Sequence, residues 1–286
     1  MRGVIPAPRR SRSFARNLLT NGNFANPVNQ RGQKSYTDKG YAIDRWQIVG
    51  SSGTLAVEDG CVAITRQAES GGFGIAQQLS SGLCTVGMMV TMAVCDDSGA
   101  VYSTSGVIPA TPQTETAIVC RADFNGHAVS LTRNTSGEVH YSIYAAAGAT
   151  LRVRWVALYE GEYTADTLPD YVPRTYLEEL LECQRYFYPY KGSNTALAFA
   201  GWHYSTSAVR VALPLPIAMD ISSARVPTVS LNTENVLILP SKQVPTSIQV
   251  TVVSPNILML TLGVSGTQHN LCAIRVNAPL LITAPD

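Results

Sequence analysis

Four histidines, His127, His140, His203 and His269, are the side chains best suited to proton transfer near neutral pH, and they lie far apart in the chain. No Gly-x-Ser-x-Gly elbow, phosphate-binding glycine loop, His-Glu-x-x-His pair or dinucleotide fingerprint accompanies them. The histidines therefore read as loop or sheet-surface residues, and no catalytic residue, cofactor or metal site is predicted. Asp96-Asp97 precedes Ser98-Gly99 and reads first as a turn. A calcium site is the alternative, because Ca²⁺ requires several converging oxygens. A glycosidase would need two carboxylates across a cleft, and nothing singles out such a pair among the 20 acidic residues.

Six cysteines, Cys61, Cys84, Cys95, Cys120, Cys183 and Cys272, form no Cys-x-x-Cys pair. Their spacing and apolar neighbours predict buried free thiols that pack like small hydrophobes, which suits assembly in a reducing cytoplasm.

Aromatic residues offer a different chemistry, stacking on the apolar C–H face of a sugar or packing at an interface. Trp46 alternates with Ile48, and Trp155 alternates within Val153-Arg-Trp155-Val-Ala157, so both are expected in a core. Trp202, His203 and Tyr204 sit in a polar aromatic stretch, read as a loop or strand start. They are candidates for glycan contact or for a subunit interface, and both readings stand. Tyr186-Phe187-Tyr188-Pro-Tyr190 is expected to pack a helix against a sandwich.

Charge separates the chain into two parts. Arg2, Arg9, Arg10, Arg12 and Arg16 fall within the first sixteen residues, with no acidic residue among them. The remainder carries 16 basic against 20 acidic residues, a formal −4 under a total of +1. A basic arm could bind nucleic acid by counterion release, but five arginines are a modest charge. Pro6 and Pro8 stiffen the segment. Residues 1–16 therefore read as an arm anchoring the body to a partner protein, with fold-back onto its own domain as the alternative. Nucleic acid is not an expected partner.

The elements that must position these residues are mostly short strands. Leu55–Val57 and Cys61–Ile64 flank Glu58-Asp59-Gly60 and predict a hairpin. Val86–Cys95, Ala117–Arg121, Ala128–Arg133, Glu138–Ala145 and Leu151–Tyr159 follow, separated by Gly, Ser, Asn and Asp. Thr175-Tyr-Leu-Glu178 fits a capping box. Leu177, Leu180, Leu181 and Gln184 continue at helical spacing, predicting roughly four turns to about Tyr188. Glu178, Glu179, Glu182 and Arg185 are expected on its polar face. Strands return at Ala208–Leu215, Thr228–Leu231, Val236–Leu239, Ser247–Val253, Ile257–Val264 and Leu271–Val276, bracketed by prolines. The expected fold is all-β. An arm over 1–16 leads into a jelly-roll-like β-sandwich over 17–172, a connecting helix over 173–190 and a smaller sandwich over 191–286.

Composition agrees with this. Apolar residues make up 45% of the chain, which argues against disorder. Charged residues make up only 14%, against about 25% in an ordinary domain. A surface so poor in charge suits subunit interfaces, whose cores are depleted of charge. No apolar run approaches the roughly 18 residues of a membrane span. No apolar stretch follows the first arginines, so neither a secretory signal nor membrane insertion is expected.

Several segments resemble known proteins. Asn17-Leu-Leu-Thr-Asn-Gly-Asn-Phe24 resembles the opening strand of carbohydrate-binding jelly-roll modules, and Trp155-Val-Ala-Leu-Tyr-Glu-Gly161 through Pro173-Arg174 resembles their closing strand. Asn26-Pro-Val-Asn-Gln-Arg-Gly32 with Tyr41-Ala-Ile-Asp-Arg-Trp46 is similar to virion-associated proteins of bacteriophages and prophages. Glu182-Cys-Gln-Arg-Tyr-Phe187 resembles a junction in phage tail-fibre-like proteins. There it precedes a small β domain, as Val211-Ala-Leu-Pro-Leu-Pro-Ile217 and Arg225-Val-Pro-Thr-Val229 do here. Met219-Asp220 stands where such proteins commonly have Met-Arg. The resemblance implies a non-enzymatic virion structural protein: a tail fibre, a receptor-binding protein or a head appendage. It also implies a homotrimer, docked to another virion protein through residues 1–16 and adhering to a host-surface glycan. Such a protein assembles in the host bacterial cytoplasm and ends in the virion. A stand-alone carbohydrate-binding module and a polysaccharide depolymerase are the alternatives.

Overall fold

A computed structural model describes residues 15–68, 71–80, 82–190, 197–220, 226–239, 242–265, 272–276 and 280–284. Among the described residues the fold is all-β with one α-helix, and the chain divides into two compact units, 1–179 and 180–286.

In the first unit the strands are β1 (Ser35–Tyr36), β2 (Gly40–Tyr41), β3 (Gln47–Gly50), β4 (Gly53–Glu58), β5 (Cys61–Arg66), β6 (Phe73–Gln78), β7 (Met89–Asp96), β8 (Val101–Val107), β9 (Ala117–Phe124), β10 (His127–Arg133), β11 (Val139–Tyr144) and β12 (Thr150–Glu160). They form two antiparallel sheets of order β1-β4-β5-β12-β7-β8 and β2-β3-β6-β11-β10-β9. Strand alternation places Leu55, Ile64, Met92 and Val153 of one sheet against Ile75, Leu131, Tyr141 and Ile143 of the other, so the sheets close a sandwich over one core. The Tyr141 hydroxyl donates to the Ala93 carbonyl at 2.8 Å and ties the sheets together. Trp46 is fully buried, as expected. It meets Phe24 and Tyr141 edge-on, with centroids 5.1 and 6.1 Å away.

Turn chemistry sets the local hairpins. Glu58 pairs with Cys61 across Asp59-Gly60, the expected hairpin. Phe124 pairs with His127 across Asn125-Gly126, where φ is 50° and 78°. Two successive positive φ values make a type I′ turn, which matches strand twist and favours Asn-Gly.

Asn17–Phe24 runs along β12 as an irregular segment, bent at Leu19, Thr20 and Asn21 and joined by an isolated bridge from Asn23 to Trp155. Leu18 N–H donates to the Leu158 carbonyl and Val156 N–H to the Gly22 carbonyl, both at 2.8 Å. Asn17 reinforces this by donating to the Val156 carbonyl and accepting from Leu158 N–H, both at 2.9 Å.

The helix α1 (Tyr176–Gln184) has nine residues and stops short of the expected end near Tyr188. Its capping box forms as expected: Thr175 N–H donates to Glu178 at 2.8 Å, and Glu178 N–H donates to the Thr175 hydroxyl at 3.3 Å. The face buried differs from the one the leucine spacing indicates. Leu177 and Leu181 are exposed, while Glu179 and Cys183 are buried. Phe187–Tyr190 is strand rather than helix. Pro189 biases Tyr188 toward extended backbone, and a run of aromatics suits a strand.

In the second unit the strands are β13 (Phe187–Tyr190), β14 (Leu197–Ser205), β15 (Ala208–Pro214), β16 (Thr228–Val229), β17 (Val236–Leu239), β18 (Ser247–Ser254), β19 (Ile257–Gly263), β20 (Cys272–Val276) and β21 (Leu280–Thr283). They form sheets of order β13-β21-β16 and β17-β20-β14-β15-β19-β18. Pro189 lies on the edge strand β13, where no ladder donor is missed. Val209, Val211, Leu213, Leu258, Leu260 and Ile282 are among the residues that fill the core between these sheets. Tyr186, Tyr188 and Tyr190 pack against that core.

Candidate functional site

Exposed aromatic side chains of the second unit lie on the outer face of its six-stranded sheet. In β15, Val209, Val211 and Leu213 are buried in the core, so strand alternation turns Arg210 to the opposite face. Trp202 of β14 stands directly opposite Arg210, and His203 pairs with Val209. The ladder is irregular between His203 and Ser205. Of the two readings, loop or strand start, the strand holds, with Trp202 and Tyr204 toward the end of β14, and both remain exposed, 37% and 60%. His203 is half-buried and at the register of core-facing Val209, so it does not join them.

The Arg210 guanidinium carbon lies 3.5 Å from the centre of the Tyr204 ring. That stack is a cation–π contact of about 0.5–1 kcal/mol at an exposed site. Arg210 Nε is enclosed and has no hydrogen-bond partner among the described residues. Other arginines here are held by carboxylates: Arg121 by Asp123, Arg152 by Glu58, and Arg174 by Glu179. Arg210 has no such counterion among the described residues. The register continues the row: Arg210 pairs with Thr261, and Thr261 with Gln249. Gln249, Thr261, Arg210 and Trp202 therefore share one line across four strands, with Tyr204 against the guanidinium. Sequence reasoning found Trp202 and Tyr204 and missed Arg210. The Val209–Val211–Leu213 alternation was its one visible signal.

Other candidates are dispersed. Arg2, Arg9, Arg10 and Arg12 lie outside the described residues, as does His269. Arg16 is exposed just before the segment bound along β12. Trp155 is half-buried rather than in the main core, and stacks on Tyr171 at 4.5 Å with an interplanar angle of 2°. Asp96 Oδ1 accepts from Ser98 N–H at 3.0 Å, from the Ser98 hydroxyl at 2.6 Å and from Ala100 N–H at 3.0 Å. Those bonds hold Asp96 below the usual carboxylate range, against the opposing effect of burial. The carboxylate is thus engaged by its own turn. Among the described residues no group of three or more His, Cys, Asp or Glu side chains gathers at metal-binding range. His127 Nδ1 accepts from Ala146 N–H at 2.9 Å, and burial lowers its pKa. All six cysteines are free thiols, five of them buried and Cys84 half-buried. Among the described residues no helix is long and apolar enough to cross a membrane.

Comparison with family models, curated proteins and solved structures finds no match.

Proposed function

We propose that this chain is a non-enzymatic structural and adhesion subunit of a phage-like particle. Residues 1–16 dock it to another virion protein, the first sandwich forms a shaft or collar, and the second presents a binding face to host-surface glycans. The observation that carries this reading is the pair Trp202 and Tyr204, held on adjacent outward positions of one strand and left open to solvent. Two large aromatic rings on a rigid sheet offer stacking area at little entropic cost. The low charge of the chain and the segment resemblances support a homotrimer.

Two measurements test this. A bacterial glycan array probed with the full chain is expected to give saturable binding that drops at least tenfold in Trp202→Ala or Tyr204→Ala, with unchanged melting temperature. Light scattering at micromolar concentration is expected to report a trimer. A monodisperse monomer together with a blank array would sink the reading.

A further inference from the structure

We propose that Arg210 makes this face a site for an anionic sugar. The ligand's carboxylate or phosphate pairs with the guanidinium, and its C–H face stacks on Trp202. The inference rests on the adhesion reading above and names the ligand class for it.

Three observations carry it. First, the guanidinium is stacked and oriented. Tyr204 lies under it at 3.5 Å, and strand pairing fixes Trp202 beside it. A planar, pre-oriented guanidinium binds a carboxylate or phosphate through two parallel hydrogen bonds and loses little entropy in doing so. Second, its charge is uncompensated. No carboxylate neutralises it among the described residues, and its Nε is already enclosed without a partner. With Nε enclosed and one face covered by Tyr204, the half-buried cation is partly desolvated, which strengthens its attraction for an arriving anion at the open terminal nitrogens. Third, the row continues with groups suited to sugar hydroxyls. Thr261 and Gln249 follow Arg210 in register, and neither is buried. Together they supply a hydroxyl and an amide, each able to donate and accept. Aromatic ring, fixed cation and neutral polar groups in one line match the three surfaces of an acidic sugar: apolar face, anion and hydroxyls.

The test uses the full chain and two matched pairs of polymers. One pair is a glucuronic-acid polysaccharide before and after carboxyl reduction. The other is a phosphate-bearing glycopolymer before and after dephosphorylation. Affinity is measured by calorimetry at low and high salt for the wild type, Arg210→Gln, Arg210→Lys and Trp202→Ala, with melting temperature as the folding control. Expected is binding of at least one charged polymer, about tenfold to a hundredfold tighter than its neutral partner. That margin should shrink with salt, vanish in Arg210→Gln and fall partway in Arg210→Lys. The pair that shows it identifies the anion. Equal binding of charged and neutral polymers, or a charge preference intact in folded Arg210→Gln, overturns the inference. Neutral binding that depends on Trp202 but not on Arg210 overturns it while the adhesion reading stands. No binding of any glycan overturns both.

Discussion

The Glu179 carboxylate, in the first turns of α1, accepts the backbone N–H of Asn21, 158 residues earlier. The same carboxylate holds Arg174 at 3.2 Å, and Arg174 donates to the Asn17 carbonyl at 2.8 Å. The segment that leads out of residues 1–16 is therefore fastened to the end of the first unit by one buried acid and one arginine. Removing one member of a buried pair strands the other, at a cost of about 3–5 kcal/mol. Arg174 is partly exposed, so the expected loss for Glu179→Ala is at the lower end, about 3 kcal/mol. Urea denaturation followed by tryptophan fluorescence reads it, and Glu178→Ala, one residue away and exposed, is the control. Equal effects of the two substitutions would contradict the assignment.

Asn21 is fully buried, with φ at 56°. Its amide donates to the Val28 and Asp44 carbonyls at 2.9 and 2.8 Å and accepts from Val28 N–H at 2.8 Å. Its own carbonyl accepts from the Trp46 indole at 2.9 Å. Asn tolerates the left-handed region and brings the polar groups that the turn requires. Asn21→Gly keeps the backbone and loses the bonds; Asn21→Ala loses both. Both are expected to lower stability, with Ala worse than Gly by about 1 kcal/mol. Equal melting temperatures for the two variants would show that backbone strain plays no part.

Asp44 titrates in the opposite sense to a surface acid. Burial raises its pKa, against the lowering effect of Gln30 N–H at 2.6 Å and of Arg31 at 3.3 Å. The native value lies above the unfolded one, so the folded state binds more protons between them. Stability from this group therefore falls as pH rises through that window. Asp44→Asn removes the term. The stability of wild type minus that of Asp44→Asn is expected to decline from about pH 4 toward neutrality. A flat or rising difference refutes it.

Thiol chemistry should be silent in the native chain. Burial pushes Cys84 and Cys120 up to about 11, leaving about one thiolate in ten thousand at neutral pH. Alkylation followed by mass spectrometry is expected to leave Cys120 unlabelled under native conditions and to label all six cysteines in denaturant. Rapid native labelling of Cys120 would contradict its burial.

Local pattern alone carried much of this fold. The Val209–Val211–Leu213 alternation, the Asp59-Gly60 turn, the Thr175–Glu178 box and the alternation of Trp46 with Ile48 each depend on neighbours within a few residues. Here conformational preference and apolar period agree. Other strands were not legible: β6 and β8 offer a weak period, and the aromatic run leading up to Pro189 passed for helix. Three properties were decided only in three dimensions. β12 lies between β5 and β7, although nothing near Thr150–Glu160 specifies those partners. Glu178 and Glu179 are the same residue type, yet only Glu179 is buried, because Asn21 and Arg174 meet it there. Arg210 gained Thr261 as a row-mate through strands that pair across some fifty residues, and Gln249 joined through the local β18–β19 pairing. Residue type and spacing determine which face of a strand seeks the core. Which strand lies alongside which is decided by the summed burial and hydrogen bonding of the whole sheet, and that sum is not contained in any short window of sequence.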